Sequence, residues 1–129
     1  MLVLLDTTVL IDYLRGAAAA DRVDGLIDRG DIACTTAINV EEIVRGLRPR
    51  EETDADRLIA GLVVIPLGAE EGKAAGSWRK RFSTQGVTLS QADCLIAAAA
   101  LSAGANLATG NPADFPMREI HVEHWPVGR

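Results

Sequence analysis

The pattern of apolar and polar positions changes from strand-like to helix-like near the start of the chain. Leu2–Leu5 is a continuous apolar run, as expected for a strand buried on both faces of a parallel sheet. The run ends at Asp6, and after two threonines apolar residues recur at helical spacing over residues 9–14. A carboxylate therefore stands at the end of a buried strand, where open α/β sheets form their ligand crevice.

The same alternation of short apolar runs and helical patterns continues to the end of the chain. The spacing predicts helices over residues 17–28, 36–47, 51–61, 69–82 and 90–103. It predicts further strands over residues 31–35, 63–65, 106–109 and 119–122. Strands that alternate with helices predict a three-layer α/β/α sandwich around a central, mostly parallel sheet of about four or five strands. With no linker or repeat visible, we expect residues 1–129 to form a single domain.

Composition and charge narrow the class of protein. The chain has 129 residues, enough for one sizeable core, and only 4% of them are aromatic, so small aliphatic side chains must fill that core. The net charge is −5. A nucleic-acid-binding protein usually carries a basic balance, so this charge counts against nucleic acid unless basic residues cluster or metal ions offset the acids.

The location of the protein is predicted from its cysteines and its apolar runs. Cys34 and Cys94 lie in apolar segments without a C-x-x-C pair, as expected for buried thiols in a reducing cytoplasm. Asp6 and Asp12 interrupt the first apolar stretch, which argues against a signal peptide. No run reaches the roughly 18 apolar residues of a membrane span. We therefore expect a cytoplasmic protein without a membrane partner.

Two acids near predicted strand ends are candidates for chemistry. Taken alone, Asp6 is more simply explained as the N-cap of the first helix. Glu41 and Glu42 are adjacent on the helix over residues 36–47, so only one of them can face a given cleft. Gly46 lies one turn after Glu42 and leaves its face uncrowded, which favours Glu42 as the inward acid.

Two further segments add acid or amide groups. Ser90 and Asp93 have the spacing of a capping box, yet Asp93 begins a nearly uncharged helix that must be largely buried. A buried acid needs a partner or a cation. Asn111 and Asp114 follow a predicted strand, and each is ordinary turn chemistry when taken alone.

Taken together, the acids indicate a cation site, because carboxylates that converge at strand ends repel one another unless a cation is present. Oxygen ligands suit Mg²⁺ or Mn²⁺. The absence of histidine and cysteine among these acids argues against zinc. His121 and His124 are interpreted as strand or surface residues.

Four motifs, in order, resemble the PIN domain of the VapC toxin type: LLDTTVLIDYL, TTAINVEEIVRG, SQADCLIAAAAL and NLATGNPADF. The three acids of that family match Asp6, Glu42 and Asp93. A fourth acidic position falls on Asn111, which is a departure from the pattern, and Asp114 is the candidate to supply the missing charge. Thr109 resembles the hydroxyl residue that commonly supports the site, and Thr8 stands where the family often has Asn or Ser.

The resemblance implies a Mg²⁺- or Mn²⁺-dependent endoribonuclease, the toxin half of a toxin–antitoxin pair. It also implies a homodimer that a cognate VapB-like antitoxin holds inactive. Water as the nucleophile would leave 5′-phosphate and 3′-hydroxyl ends. Basic residues that could meet RNA are Arg15, Arg45, Arg79, Lys80 and Arg81, although each is also explained as a charge favoured near a helix end.

Three alternatives stay open at this point. The first is a non-catalytic PIN-like module that binds RNA or a protein. The second is a phosphoryl-transfer enzyme or receiver domain, but the chain lacks the paired acids before its first helix and the late lysine that a receiver needs. The third is DNA as the substrate, because an acid–metal site does not distinguish it from RNA.

Overall fold

The computed structural model describes residues 1–128, which form a parallel sheet with helices on both faces. The strands are β1 (Leu2–Leu5), β2 (Ile32–Thr35), β3 (Val63–Val64), β4 (Asn106–Thr109) and β5 (Val122–His124). The α-helices are α1 (Thr7–Leu14), α2 (Ala20–Asp28), α3 (Ala37–Gly46), α4 (Glu52–Ala60), α5 (Ala69–Ser83) and α6 (Gln91–Ala103). Two short 3₁₀ turns cover Pro49–Glu51 and Pro112–Asp114.

The sheet has five strands in the order β3-β2-β1-β4-β5, and every neighbouring pair is parallel. Strand β1 is central, which explains its unbroken apolar run: Leu4 packs on one face of the sheet and Leu5 on the other. The predicted α/β sandwich with a parallel sheet is confirmed. Because all strands run the same way, their carboxyl ends share one edge, and Asp6 follows the middle strand of that edge.

Helices cover the two faces of the sheet in two layers. On one face α5 and α6 pack together, with Trp78 and the buried alanines of α6 closing the core. On the other face α1 and α2 pack with Ile43 of α3 and Ala55 of α4. The end of α6 is fixed by Gly104, whose φ of 66° is a left-handed conformation that glycine adopts without strain. Within residues 1–128, no helix has both the length and the apolar character that crossing a membrane would need.

Two predicted elements had wrong boundaries. The last strand runs over Val122–His124 instead of 119–122, because Glu119 is drawn to α5, where it accepts hydrogen bonds from Trp78 and Arg81 at 3.0 and 2.9 Å. Helix α2 begins at Ala20 instead of residue 17. The other predicted elements after β1 agree with the structure to within one residue at each end. Both cysteines are buried and unpaired, as predicted.

Asp12 explains the late start of α2 and also holds the last described residues. Its side chain is buried, and one oxygen accepts the backbone N–H of Ala19 at 2.7 Å. The other oxygen accepts the backbone N–H of Gly128 at 2.9 Å. A single carboxylate of α1 therefore fixes both the turn before α2 and the segment that follows β5.

We expect Asp12→Ala to lower the free energy of unfolding by about 2–3 kcal/mol, because it leaves two backbone N–H groups without their acceptor. Urea denaturation followed by circular dichroism measures this change. Asp28→Ala is the matched control, since Asp28 is exposed, and a change within about 0.5 kcal/mol is expected there. Equal denaturation midpoints for the two variants would contradict the structural role of Asp12.

Candidate active site at the carboxyl edge of the sheet

Four acids from separate parts of the chain influence one another at the carboxyl edge of the sheet. Asp6 follows β1, Glu42 lies on α3, Asp93 lies in the first turn of α6, and Asp114 ends the last 3₁₀ turn. The negative charges of Asp93 and Glu42 both act to raise the pKa of Asp6. The charges of Asp114 and Glu42 do the same for Asp93. The charges of acids from separate elements therefore act on Asp6 and Asp93 at this edge of the sheet.

Asp6 is the most deeply buried of these acids, with 6% of its surface exposed. Its Oδ2 accepts a hydrogen bond of 2.8 Å from the hydroxyl of Thr109. Burial is the largest cause that raises the pKa of Asp6, and the Thr109 hydrogen bond opposes it. Asp6 stands at the N-cap position of α1, but its side chain makes no capping hydrogen bond. The simple capping explanation is thus wrong, and the carboxylate belongs to the acidic cluster.

Threonine hydroxyls tie the turn after β4 to α1. Thr8 accepts the backbone N–H of Gly110 at 3.0 Å, and its hydroxyl lies 3.5 Å from Oδ2 of Asp6. Thr109 accepts the backbone N–H of Asn111 at 3.0 Å. A Cβ at Gly110 would lie 2.8 Å from Val127 and 3.3 Å from the Thr8 hydroxyl, so glycine allows this close approach. These contacts agree with the supporting positions expected for Thr8 and Thr109.

Glu42, and not its neighbour Glu41, faces the acidic cluster. Glu42 is half-buried, and its Oε1 accepts a hydrogen bond of 2.6 Å from the hydroxyl of Thr7. Glu41 is exposed and pairs with Arg45 at 3.2 Å on the outer face of α3. The choice that the sequence favoured through Gly46 is the one the structure shows.

Asp93 begins α6 in a half-formed capping box. Its backbone N–H donates to the Ser90 hydroxyl at 3.0 Å, while no return bond from the Ser90 backbone to the Asp93 carboxylate occurs in the described chain. The carboxylate is therefore left to face the other acids. Burial raises the pKa of Asp93 most, followed by the negative charges of Asp114 and Glu42, and the nearby Ser90 hydroxyl opposes them.

Asn111 and Asp114 form an exposed turn beside these acids. The backbone N–H of Asp114 donates to the carbonyl of Asn111 at 3.1 Å, which closes the 3₁₀ turn. The effect of Asp114 on the pKa of Asp93 places its charge within reach of the cluster. Asn111 contacts the site through its backbone N–H, which donates to the hydroxyl of Thr109. Of these two residues, Asp114 is thus the one that adds charge.

Sequence reasoning missed two residues of the site, Thr7 and Asn39. Asn39 is fully buried, and its Nδ2 donates to the Thr7 hydroxyl at 3.0 Å and lies 3.5 Å from Oδ1 of Asp6. A signal was available, because Asn39 lies three residues before Glu42 and therefore on the same face of α3. An amide on the inward face of a helix needs buried partners.

The donor set suits a hard divalent cation, since the cluster offers carboxylate and hydroxyl oxygens only. In residues 1–128, however, no three acidic, histidine or cysteine side chains come together closely enough to hold one ion. Mg²⁺ commonly keeps several waters and is bound through one or two carboxylates. The residues present fit an ion held in that way.

The basic residues considered for RNA mostly have local partners. Arg15 pairs with Glu51 at 3.1 Å, and Arg81 pairs with Glu119 at 2.9 Å. The hydrogen bonds from Arg81 and Trp78 lower the pKa of Glu119 to about 2. Further partners are a backbone carbonyl for Arg79 and a glutamate for Arg45, while Lys80 is exposed. His121 and His124 are exposed, as predicted.

A separate cavity of about 680 Å³ lies between α1, α2, α4 and β2. Its walls include Leu14, Ile27, Ile32 and Leu58. It shares no residue with the acidic cluster, so it is a feature of a different surface.

The fold and the cluster together define an α/β protein with an acidic site at the carboxyl edge of a parallel sheet. The sequence matches the family model described as "PIN domain" over residues 3–116. The chain belongs to the PIN domain family.

Similar proteins occur in bacteria. The chain is 33% identical to ribonuclease VapC10 of Mycobacterium tuberculosis, covering 92% of this chain and 89% of that protein. It is 30% identical to ribonuclease VapC19 of the same species, covering 88% and 92%. In structure it is similar to a chain of DNA-bound VapBC from Salmonella typhimurium, with a TM-score of 0.81, 25% identity and coverage of 97% and 99%. A chain of VapBC2 from Rickettsia felis gives a TM-score of 0.84 at 20% identity, with coverage of 97% and 99%.

Asp93→Asn is expected to raise the melting temperature of the metal-free protein at pH 7 by a few degrees. A carboxyl group whose pKa is raised by folding holds its proton more tightly in the folded state. Its contribution to the free energy of unfolding therefore decreases as pH rises from about 4, the ordinary value, through the raised pKa. The advantage of the variant should shrink as the pH is lowered toward 4.

Calorimetry in EDTA, over a series of pH values, measures this effect. The exposed residue Asp56 provides the control substitution Asp56→Asn, for which no pH-dependent gain is expected. A lower melting temperature for Asp93→Asn than for the wild type at pH 7 would show that the carboxylate is not held among like charges.

Proposed function

We propose that this protein is a Mg²⁺- or Mn²⁺-dependent endoribonuclease and the toxin component of a toxin–antitoxin pair, acting through one PIN domain. The observation that carries the proposal is the burial of Asp6 at the carboxyl edge of the sheet, which raises the pKa of its carboxyl group, with the charges of Asp93 and Glu42 adding to the effect. Without a cation, the repulsion between these carboxylates costs free energy; with a cation, the same carboxylates serve as ligands. The names of the similar proteins VapC10 and VapC19 support ribonuclease activity for this chain.

In this proposal some residues of the chain bind the ion and others hold those residues in position. Asp6, Glu42 and Asp93 would hold the ion, one or two of them directly and the rest through its bound waters. Asn111 and Asp114 would orient water or a second ion. Mg²⁺ or Mn²⁺, when bound, lowers the pKa of water toward neutrality and neutralises charge on the phosphoryl oxygens. The hydroxyl of Thr109 would hold the Asp6 carboxylate, and the hydroxyls of Thr8 and Thr109 would hold the turn that contains Gly110 and Asn111.

The reaction is hydrolysis of an RNA phosphodiester bond. The oxygen of water bonds to phosphorus, the bond from phosphorus to the 3′ oxygen breaks, and the 3′ oxygen leaves with a proton. One of the site's carboxylates accepts the proton of the attacking water. The products carry 5′-phosphate and 3′-hydroxyl ends.

RNA must approach a protein with a net charge of −5. We propose that it does so beside Arg79 and the exposed Lys80, with Arg15, Arg45 and Arg81 contributing where their carboxylate partners release them. Single-stranded loops are the expected target, because their bases are accessible to side chains.

The proposed partners are a cognate VapB-like antitoxin and a second copy of the chain. Support comes from the structurally similar chains, which were solved as VapBC complexes. The competing candidate is a non-catalytic binding module. It is favoured by Asn111, which stands where a fourth acid is expected, and by the lack of three assembled ligands in residues 1–128.

Cleavage of a pool of structured RNAs by the purified, antitoxin-free protein tests the enzymatic proposal. We expect cuts with 5′-phosphate ends in Mg²⁺ or Mn²⁺, none in EDTA, and a loss of at least about a hundredfold in Asp6→Asn and Asp93→Asn. Cutting that persists in EDTA or in either variant would overturn the metal mechanism. RNA binding without cutting by the wild type would favour the binding module.

The adjacent glutamates of α3 provide a matched pair of substitutions. Glu42→Gln should reduce the cleavage rate by about tenfold or more, because it removes a charge from the acidic cluster. Glu41→Gln should leave the rate close to that of the wild type, since Glu41 pairs with Arg45 on the outer face of the helix. Comparable losses in the two variants, measured in initial-rate assays on one RNA, would contradict the assignment of Glu42.

A further inference from the structure

A chain of hydrogen bonds leads from the start of α3 through uncharged residues to the carboxylate of Glu42. It starts at Thr36, the N-cap of α3, whose backbone N–H donates to Oδ1 of Asn39 at 3.2 Å and whose hydroxyl donates to the same oxygen at 2.7 Å. Nδ2 of Asn39 then donates to the Thr7 hydroxyl at 3.0 Å. The Thr7 hydroxyl donates to Oε1 of Glu42 at 2.6 Å.

The direction of this chain is set by one backbone group. A backbone N–H can only donate, so the oxygen of the Asn39 side chain must face Thr36 and its amino group must face Thr7. Because that amino group donates to the Thr7 hydroxyl, the single proton of the hydroxyl is free to point at Glu42. The bonds therefore run in one direction, from the start of α3 to the Glu42 carboxylate.

The hydrogen bond from Thr7 fixes the side chain of Glu42. Its long side chain is half-buried and loses rotamer freedom when it is held in one place. It also lies near the carboxylate of Asp6, because its negative charge acts to raise the pKa of Asp6. A short hydrogen bond to an ionised oxygen is stronger than a neutral one and opposes both effects.

We propose that Thr7 is a positioning residue that holds Glu42 in the orientation needed to bind the divalent ion beside Asp6, with Asn39 aligning the Thr7 hydroxyl. The inference rests on the proposed function and deepens it. Thr7 contacts Oε1 only through its hydroxyl, so the second oxygen of Glu42 is left for the ion. Thr7 thus acts through Glu42 and does not itself touch substrate.

Binding of Mn²⁺ to the full chain, followed by the electron paramagnetic resonance signal of the free ion, tests this role without requiring activity. Thr7→Val keeps the shape of the side chain and removes the hydroxyl, and we expect it to weaken Mn²⁺ binding by about tenfold to a hundredfold. Thr7→Ser keeps the hydroxyl and should restore most of the affinity. Where RNA is cleaved, Thr7→Val should lower kcat and leave KM for RNA close to that of the wild type.

The chain offers a matched control for the threonine-to-valine change. Thr35 is fully buried, and its hydroxyl has no hydrogen-bond partner within residues 1–128. Thr35→Val should therefore leave Mn²⁺ affinity unchanged. If Thr7 acts through Glu42, adding Thr7→Val to Glu42→Gln should cause no further loss of affinity.

Several outcomes would overturn the inference. They are unchanged Mn²⁺ affinity in Thr7→Val, no recovery in Thr7→Ser, the same loss in Thr35→Val, or additive losses in the double variant. A wild-type protein that binds no Mn²⁺ would overturn it as well. Wild-type protein that binds Mn²⁺ in the expected pattern across the variants and cuts no RNA would support the positioning role while refuting the proposed nuclease.

Discussion

The constraint that shapes this site is that several carboxylates lie close together at the carboxyl edge of the sheet. Asp6 is 6% exposed, and the charges of Asp93 and Glu42 act on it, so burial and repulsion both oppose its ionised form. Hydrogen bonds from neutral hydroxyls partly compensate, with Thr109 donating to Asp6 and Thr7 donating to Glu42. A folded protein retains such an arrangement when function requires it, because the free energy it costs must be supplied by the rest of the core.

The rest of the fold supplies that stability by packing around β1. Placing β1 in the middle of a parallel sheet buries it on both faces and brings the ends of β2 and β4 to either side of Asp6. The alanines of α6 allow this helix to pack closely against the sheet and α5, which fixes Asp93 at the same edge. Asp12 adds a second constraint on α1 by holding the backbone before α2 and the segment after β5.

Threonine is the residue that connects the acids to the backbone in this site. Thr7, Thr8 and Thr109 each contribute a hydroxyl that accepts a bond from one neighbour, and Thr7 and Thr109 donate to a carboxylate. A hydroxyl has one donor and two acceptor positions, so it can join two elements without adding charge. This property suits a site whose net charge is already strongly negative. This PIN domain has Asn111 in place of a fourth acid, and neutral hydroxyl and amide groups hold its carboxylates in position.

Apolar patterning in the sequence predicts the sheet class and the order of the elements, because the burial of β1 and of the alanines of α6 leaves direct traces in it. Helical geometry allows only one of Glu41 and Glu42 to face the cleft, and Gly46 favours Glu42. Apolar patterning does not show that Thr7 and Asn39 belong to the site or that Glu119 contacts α5; the tertiary contacts show both. Periodicity reports which face of an element is buried, whereas hydrogen bonds between residues more than thirty positions apart depend on how those faces meet.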